Sequence, residues 1–443
     1  MKTKPHKILS QNAFIDARST EVYAETRTLL ARRKRNFGAS SVLFYRTPLH
    51  IVRAEGIWMI AADGRRYLDA YNNVPSIGHS HPRVVEAIAA QATKISVSTR
   101  YLQDVIEQYA ERLKATLPKA LSNLVLTCTG SEANDLAMRI ARSATGGRGF
   151  VVTETAYHGN TTAVTEISPA VFTRAGTPRH VRLVAPPSRA AHGEDIAGGF
   201  AAAVGAAIAS LERARIPFAG LICDSIFSSD GVYADPPGFI KKAVKTARAA
   251  GGLFIADEVQ PGFARTGDHM WGFGRHGVTP DIVTLGKPMG NGYPMAGLAV
   301  RPKQLTAFCD DVGYFNTFGG NPVAAAAGLA VLDVIAEEGM QENARLIGAA
   351  LRDRLAALAS RFPIIAEVRG AGLFIGVELR NPDDPTRLDS DTATRICNGM
   401  RDQGVLIGSA GRYGNVLKIR PPLCMKIEHV DFLIDALEKT LGE

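Results

Sequence analysis

Along most of the chain the hydrophobic pattern alternates between short apolar runs and longer stretches of helical spacing. Residues 124–126, 149–152, 218–224, 252–257 and 282–285 are apolar runs of strand length. Between them lie helical patterns: Leu136, Met138, Ile140 and Ala141, then the Ala-rich stretch 200–211, then residues 241–250. Repeated strand–helix alternation predicts an α/β fold, a mostly parallel sheet with helices on both faces. The two ends read differently. Residues 17–35 are rich in Ala, Leu, Arg and Glu and predict a helix. Two runs around Asp63-Gly64, within residues 57–69, predict a hairpin. Gly78-His79-Ser80-His81-Pro82 breaks the chain before a helix over residues 84–94. Beyond a helical run at 324–335, the pattern predicts helices at 341–358, 392–403 and 429–441. Strands are expected near 364–368, 373–379, 405–407 and 416–419. The expected domains are an N-terminal segment 1–72 belonging to the small domain, a large domain 73–318, and a smaller α+β domain 319–443.

Two strand ends carry the candidate chemistry. The run 282–285 delivers Lys287 into a segment crowded with glycine and proline, which cannot continue a strand or begin an ordinary helix. An amine held there in a cavity is costly to keep charged and is a useful nucleophile; a solvent-exposed loop lysine is the competing reading. The run 252–257 ends at Asp257-Glu258, with Gln260 close behind. Ligands of open α/β sheets bind beyond the carboxyl ends of strands, so Asp257 and Lys287 are expected side by side at one rim. That pair fits pyridoxal 5'-phosphate, with the lysine as Schiff base and the aspartate keeping the ring nitrogen protonated. A buried ion pair at a sheet edge is the alternative. Gly130 and Ser131, between a strand and a helix, form a candidate phosphate cradle. Tyr157 and His158 stand at another strand exit, where an aromatic ring can lie on a planar cofactor. Asp224 ends the run 218–224 at the same rim.

Composition changes this picture little. Hydrophobic content of 46% and charged content of 21% are ordinary for a globular chain of 443 residues. No apolar run is expected to reach a membrane span, and no secretory signal is visible, so the cytoplasm is the default. The formal charge of +8 is modest for this length. The densest basic run, Arg32-Arg33-Lys34-Arg35, lacks interleaved aromatics and reads as a solvated helix face rather than a nucleic-acid patch. The five cysteines are dispersed, and His79 and His81 lie in a turn without a carboxylate ladder, so no metal site is expected. Gly272-Phe273-Gly274-Arg275-His276-Gly277 matches a dinucleotide motif but follows no apolar strand, and Pro280 stops a following helix.

With those residues in place, the chain resembles the class III, or ω-type, aminotransferases of fold-type I pyridoxal-phosphate enzymes. The motifs are Ala256-Asp257-Glu258-Val259-Gln260, Thr284-Leu285-Gly286-Lys287 and Thr317-Phe318-Gly319-Gly320-Asn321-Pro322. The resemblance implies a large domain with a sheet of the seven-stranded type. It implies Lys287 as Schiff-base lysine and proton shuttle, Asp257 on the ring nitrogen and Gln260 near the ring hydroxyl. Gly130 and Ser131 would hold the phosphate, Tyr157 would stack on the ring, and Thr317 would reach the phosphate of a neighbouring subunit in a homodimer or dimer of dimers.

The chain also departs from the family. Many members carry a Glu-Pro pair and then a second glutamate after the strand that here ends at Asp224; this chain has Asp224-Ser225 and then Ser229. The second glutamate switches an arginine that grips α-carboxylates. Lys418 stands where that arginine lies three residues before the Pro-Pro pair, and Arg420 immediately precedes Pro421. The pattern looks like the branch of alanine–glyoxylate aminotransferase 2 and the phospholyases of phosphoethanolamine and phosphohydroxylysine. The expected substrates are small amines and keto acids, and Lys418 and Arg420 are candidate substrate ligands. Transamination from an amine or ω-amino acid to an acceptor such as pyruvate is the first expectation. Phosphate elimination from an amino-alkyl phosphate and racemisation are the alternatives.

Overall fold

The computed structural model describes residues 12–14, 24–40, 42–171, 176–381, 388 and 390–442. Its centre is a seven-stranded sheet in the spatial order Asn123–Thr127, Ala296–Val300, Ile282–Leu285, Leu253–Asp257, Phe218–Asp224, Gly149–Thr153, Val181–Val184. Neighbours are parallel except at Ala296–Val300, which runs antiparallel to both of its partners. Gly149–Thr153, Ile282–Leu285 and Ala296–Val300 are buried at every position, as a sheet covered on both faces requires.

Alternate residues separate the two faces. Phe150, Val152, Ile222, Ile255 and Ile282 pack with Leu136, Met138 and Ile140 of the helix Gly130–Thr145. Val151, Leu221, Phe254 and Val283 face the other way, into a core shared with Phe200, Val204 and Val244. The sequence pattern did not single out Val181–Val184 or Ala296–Val300. Each is only four or five residues long, and Ala-Gly-Leu-Ala-Val carries a weak strand signal.

Two smaller sheets flank this core. Ile51–Glu55, Trp58–Ala61 and Arg66–Asp69 form an antiparallel set, with the expected turn at Asp63-Gly64 where Gly64 has φ +83°. Val405–Leu406 adds to it in parallel, so a C-terminal strand pairs with the N-terminal sheet. Ile365–Ala371, Phe374–Leu379, Val416–Ile419 and Gly408–Ala410 form the other, all antiparallel. The helix expected over 84–94 begins at Pro82, because proline is well suited to the first helical turn. The first part of the helix expected at 17–35 lies outside the described residues, and Ala24–Phe37 is helical.

One local reading changes. The helix Ile196–Arg213 is 18 residues long with a mean hydropathy of 1.2, so one apolar run does reach spanning length. Its Phe200, Val204, Ile208 and Leu211 are buried in the core, which makes it a helix of the sheet's covering layer. Within the glycine motif, Gly272–Arg275 forms a short helix whose N-terminus is already taken by the Glu258 carboxylate. That side chain accepts from the Gly272 N–H at 2.7 Å and the Phe273 N–H at 2.8 Å.

Candidate active site

The carboxyl ends of three adjacent parallel strands bring the predicted residues together. Asp224 lies opposite Asp257 in the strand register, and Asp257 opposite Thr284. Three residues beyond Thr284 the chain turns at Lys287, whose φ of +26° is unusual for a side-chain-bearing residue. Asn291 pins this turn by donating to the Gly78 carbonyl at 2.8 Å and accepting from the Ile77 N–H at 3.0 Å. The Lys287 amine makes no hydrogen bond or ion pair among the described residues. Burial, then the nearby Arg420 charge, lower its pKa from 10.5 to about 8, against the pull of Asp257 and Asp224.

Asp257 is held from two sides. His158 donates from Nδ1 to Asp257 Oδ2 at 2.7 Å, and Asn134 Nδ2 reaches the same oxygen at 3.0 Å. Among the described residues Oδ1 takes only the Val259 N–H, at 3.1 Å, and keeps capacity for another donor. Asn134 also accepts from the Thr284 hydroxyl at 2.7 Å and donates to the His158 carbonyl at 2.8 Å. One amide therefore ties the helix Gly130–Thr145 to the Lys287 strand and the His158 loop. Asn134 lies four residues after Gly130, on the same helix face. Neither Asn134 nor Thr284 was singled out as a site residue, although Thr284 opens the motif that ends at Lys287.

The helix opens with a reciprocal cap. The Glu132 N–H donates to Thr129 Oγ1 at 3.2 Å, and Glu132 Oε2 accepts from the Thr129 N–H at 2.8 Å. The Gly130 and Ser131 N–H groups find no acceptor among the described residues, so the helix mouth presents two donors and a positive dipole end. Two glycines keep it narrow. A Cβ on Gly130 would come within 3.0 Å of Val259, and one on Gly159, at φ +144°, within 2.5 Å of Ser131 Oγ. Tyr157 is half-buried beside this mouth, and burial raises its hydroxyl pKa. His158 sits behind Asp257 rather than at an open surface.

On the opposite side, Asp224 accepts from the Ile226 N–H at 2.8 Å and the Ser228 N–H at 3.0 Å, and burial raises its pKa. Gln260 donates to Ser228 Oγ at 2.6 Å and accepts from Arg420. Arg420 is 8% exposed, donates to Asn73 Oδ1 at 3.1 Å, and lies 4.4 Å from the Tyr71 ring centroid. Lys418 is 6% exposed and makes no side-chain hydrogen bond or ion pair among the described residues. Burial, then Arg420, push its pKa well down. Ser229 is buried, with its carbonyl accepting from the Gly411 N–H at 3.1 Å. Thr317 is exposed on this chain next to Phe318, and the Asn316 amide before it donates to Glu132 Oε1 at 3.1 Å. Asn73 and Tyr71 were not anticipated.

These groups fit pyridoxal phosphate: an unpartnered amine of lowered pKa, a carboxylate with one open oxygen, and two unpartnered N–H groups at a helix mouth. The description "Aminotransferase class-III" matches residues 42–441, and the chain belongs to that pyridoxal-phosphate-dependent enzyme family. It is 38% identical over 434 residues to the alanine–glyoxylate aminotransferase 2-like protein of Drosophila melanogaster, covering 93% of this chain and 86% of that one. A phospholyase from Arthrobacter, solved with phosphoethanolamine, superposes with a TM-score of 0.90 at 42% identity, covering 94% of this chain and 99% of its own. An amine transaminase from an uncultivated Pseudomonas species, solved with the cofactor bound, gives a TM-score of 0.81 at 27% identity over 89% of this chain and 94% of that one.

Proposed function

We propose that this enzyme eliminates phosphate from a small amino-alkyl phosphate. The observation that carries the reading is the pair Lys418 and Arg420. Both are more than nine-tenths buried, and neither is in an ion pair among the described residues. A buried guanidinium and a buried amine that a bound anion would protonate, neither paired with a carboxylate, suit a dianion and stabilise it further as it departs as a leaving group. Ser229 provides no opposing carboxylate. The likeness to a phospholyase solved with phosphoethanolamine supports the same reading.

Pyridoxal phosphate, when bound, supplies an electron sink for the carbon that bears the substrate nitrogen. In this reading Lys287 anchors the cofactor and, once displaced by the substrate amine, removes the proton from that carbon. Asp257, oriented by His158 and Asn134, holds the proton on the ring nitrogen. The Gly130 and Ser131 N–H groups take the cofactor phosphate, Tyr157 covers the ring, and Gln260 and Asp224 border it. With the cofactor bound, the C–O bond to the substrate phosphate would break with its electron pair leaving on phosphate; Lys287 would then retake the cofactor and free an enamine, whose imine tautomer water hydrolyses to an aldehyde and ammonia. Thr317 is exposed on this chain, which supports a homodimer in which it serves the partner's cofactor phosphate.

Transfer of the amino group to a keto acid such as pyruvate is the second reading. It is favoured by Arg420, whose guanidinium accommodates a carboxylate as well as a phosphate. Incubation with phosphoethanolamine and pyruvate separates the two. Elimination gives inorganic phosphate without alanine; alanine without phosphate overturns the proposal in favour of transamination.

A further inference from the structure

Arg420 and Asn73 share a feature that their mutual hydrogen bond does not explain. Asn73 is 1% exposed and comes from the segment after the strand Arg66–Asp69. Its Oδ1 accepts from Arg420 Nη1 at 3.1 Å, which fixes the orientation of the amide, because the reverse would set donor against donor. Its Nδ2 therefore points away from the guanidinium, buried and without an acceptor among the described residues. Arg420 Nε is likewise buried and without an acceptor. A buried donor left unmade is expensive, and two on hydrogen-bonded neighbours mark a place built for an acceptor. The other nearby charges include Lys418, Lys287 and Arg265, each of which senses Arg420, together with Asp224.

We propose that Asn73 is a substrate-binding residue, with its Nδ2–H taking an oxygen of the anionic group at the far end of the substrate beside the Arg420 guanidinium. This rests on the elimination reading only for the identity of the anion. Two neutral amides, Gln260 and Asn73, hold Arg420 without neutralising it, so its full charge remains available. Asn73 adds a donor that tells an oxyanion from an apolar tail.

The test uses the holoenzyme and follows the loss of its visible cofactor band during titration with phosphoethanolamine, β-alanine and propylamine. Asn73→Asp keeps the acceptor for Arg420 but replaces the donor with a negative charge; Asn73→Ser shortens the side chain so that the donor no longer reaches. Each is expected to weaken phosphoethanolamine binding about tenfold or more, with propylamine within about twofold of wild type. β-Alanine weakened in parallel identifies the shared oxyanion chemistry; β-alanine unchanged restricts the site to phosphate. Unchanged phosphoethanolamine affinity, or equal weakening for all three amines, overturns the assignment. If Asn73→Asp does not retain cofactor, Asn73→Ser decides alone. Failure of the wild type to release phosphate would sink the elimination reading and leave this binding comparison intact.

Discussion

His158 and Asp257 are joined through Nδ1 and Oδ2 at 2.7 Å, and both are at least 95% buried. The imidazole touches the carboxylate proposed to hold the proton of the cofactor's ring nitrogen, so its effect on chemistry would pass through Asp257. Replacing it leaves that oxygen with Asn134 alone. His158→Phe is expected to lower kcat about 10- to 100-fold, the equivalent of a lost charge-assisted hydrogen bond. The cofactor band should be retained, with its pH titration displaced from wild type. An unchanged titration together with normal kcat would remove the positioning role.

The lowered pKa of Lys287 makes a kinetic prediction for the cofactor-free protein. Only the neutral amine attacks an aldehyde. With a pKa of about 8, the rate of cofactor uptake at fixed cofactor concentration should rise with pH and level off not far above 8. An ordinary lysine would keep it rising toward 10.5. Growth of the visible band after mixing measures it, and Lys287→Ala should show no band at any pH.

Asp230 gives a stability prediction. Its carboxylate is 5% exposed and accepts from the Thr153 hydroxyl at 2.7 Å and the Thr155 hydroxyl at 2.6 Å. Burial nevertheless raises its pKa from 3.8 to about 6. A raised carboxyl pKa means that the folded state binds the extra proton between these values. The favourable contribution is present below about 4 and lost as pH rises through about 6. Asp230→Asn removes that loss at a cost in hydrogen-bond geometry. Its thermal midpoint relative to wild type should be higher at neutral pH than near pH 4. A difference independent of pH would argue that the carboxyl is not strained by burial.

Thr317 and its neighbours make an assembly prediction. Leu102 is 94% exposed, Phe318 70% and Tyr101 66%, and Arg100 lies 4.0 Å from the Phe315 ring centroid, so the two segments adjoin. Such a patch suits a partner surface. Scattering is expected to give twice the chain mass. Leu102→Asp should shift the protein toward monomer, and both it and Thr317→Ala should weaken cofactor retention. A monomeric wild type would end the homodimer reading.

The gathering of Asp224, Asp257 and Lys287 was legible because each element carries its residue at or just beyond a strand end. Apolar runs stop at Asp224, Asp257 and just before Lys287, and the carboxyl-end rule turns three separate stops into one rim. Gly130 was legible from a strand feeding small residues into a helix. Asn134 and Asn73 were harder because their partners are distant along the chain. Asn134 meets Asp257 across 123 residues, and Asn73 meets Arg420 across 347. No local pattern encodes such a contact, whereas helix and strand periodicity is local by nature. The antiparallel strand Ala296–Val300 escaped for a different reason: its side chains are small, and its place is set by pairing with both neighbours.

Lys418 provides the sharpest link between binding and pH. Its amine lies 5.6 Å from the Phe374 ring centroid, and burial with Arg420 and Lys287 nearby favours its neutral form; Asp224 and Asp230 oppose them. A bound phosphate dianion reverses the balance by supplying negative charge, so binding draws a proton onto Lys418. By linkage, phosphate affinity must then weaken as pH rises through the range where the free amine loses its proton. Lys418→Met fills similar volume without the amine. It is expected to raise KM for phosphoethanolamine about 10- to 100-fold, and to flatten the pH dependence of inhibition by inorganic phosphate above neutrality. The comparison is best made above about pH 8, well past the second ionisation of inorganic phosphate, so that the ligand's own titration contributes least. If Lys418→Met keeps the wild-type slope, the proton is taken up elsewhere among Lys287, Asp224 and Asp230, and Lys418 is not the group that meets the anion.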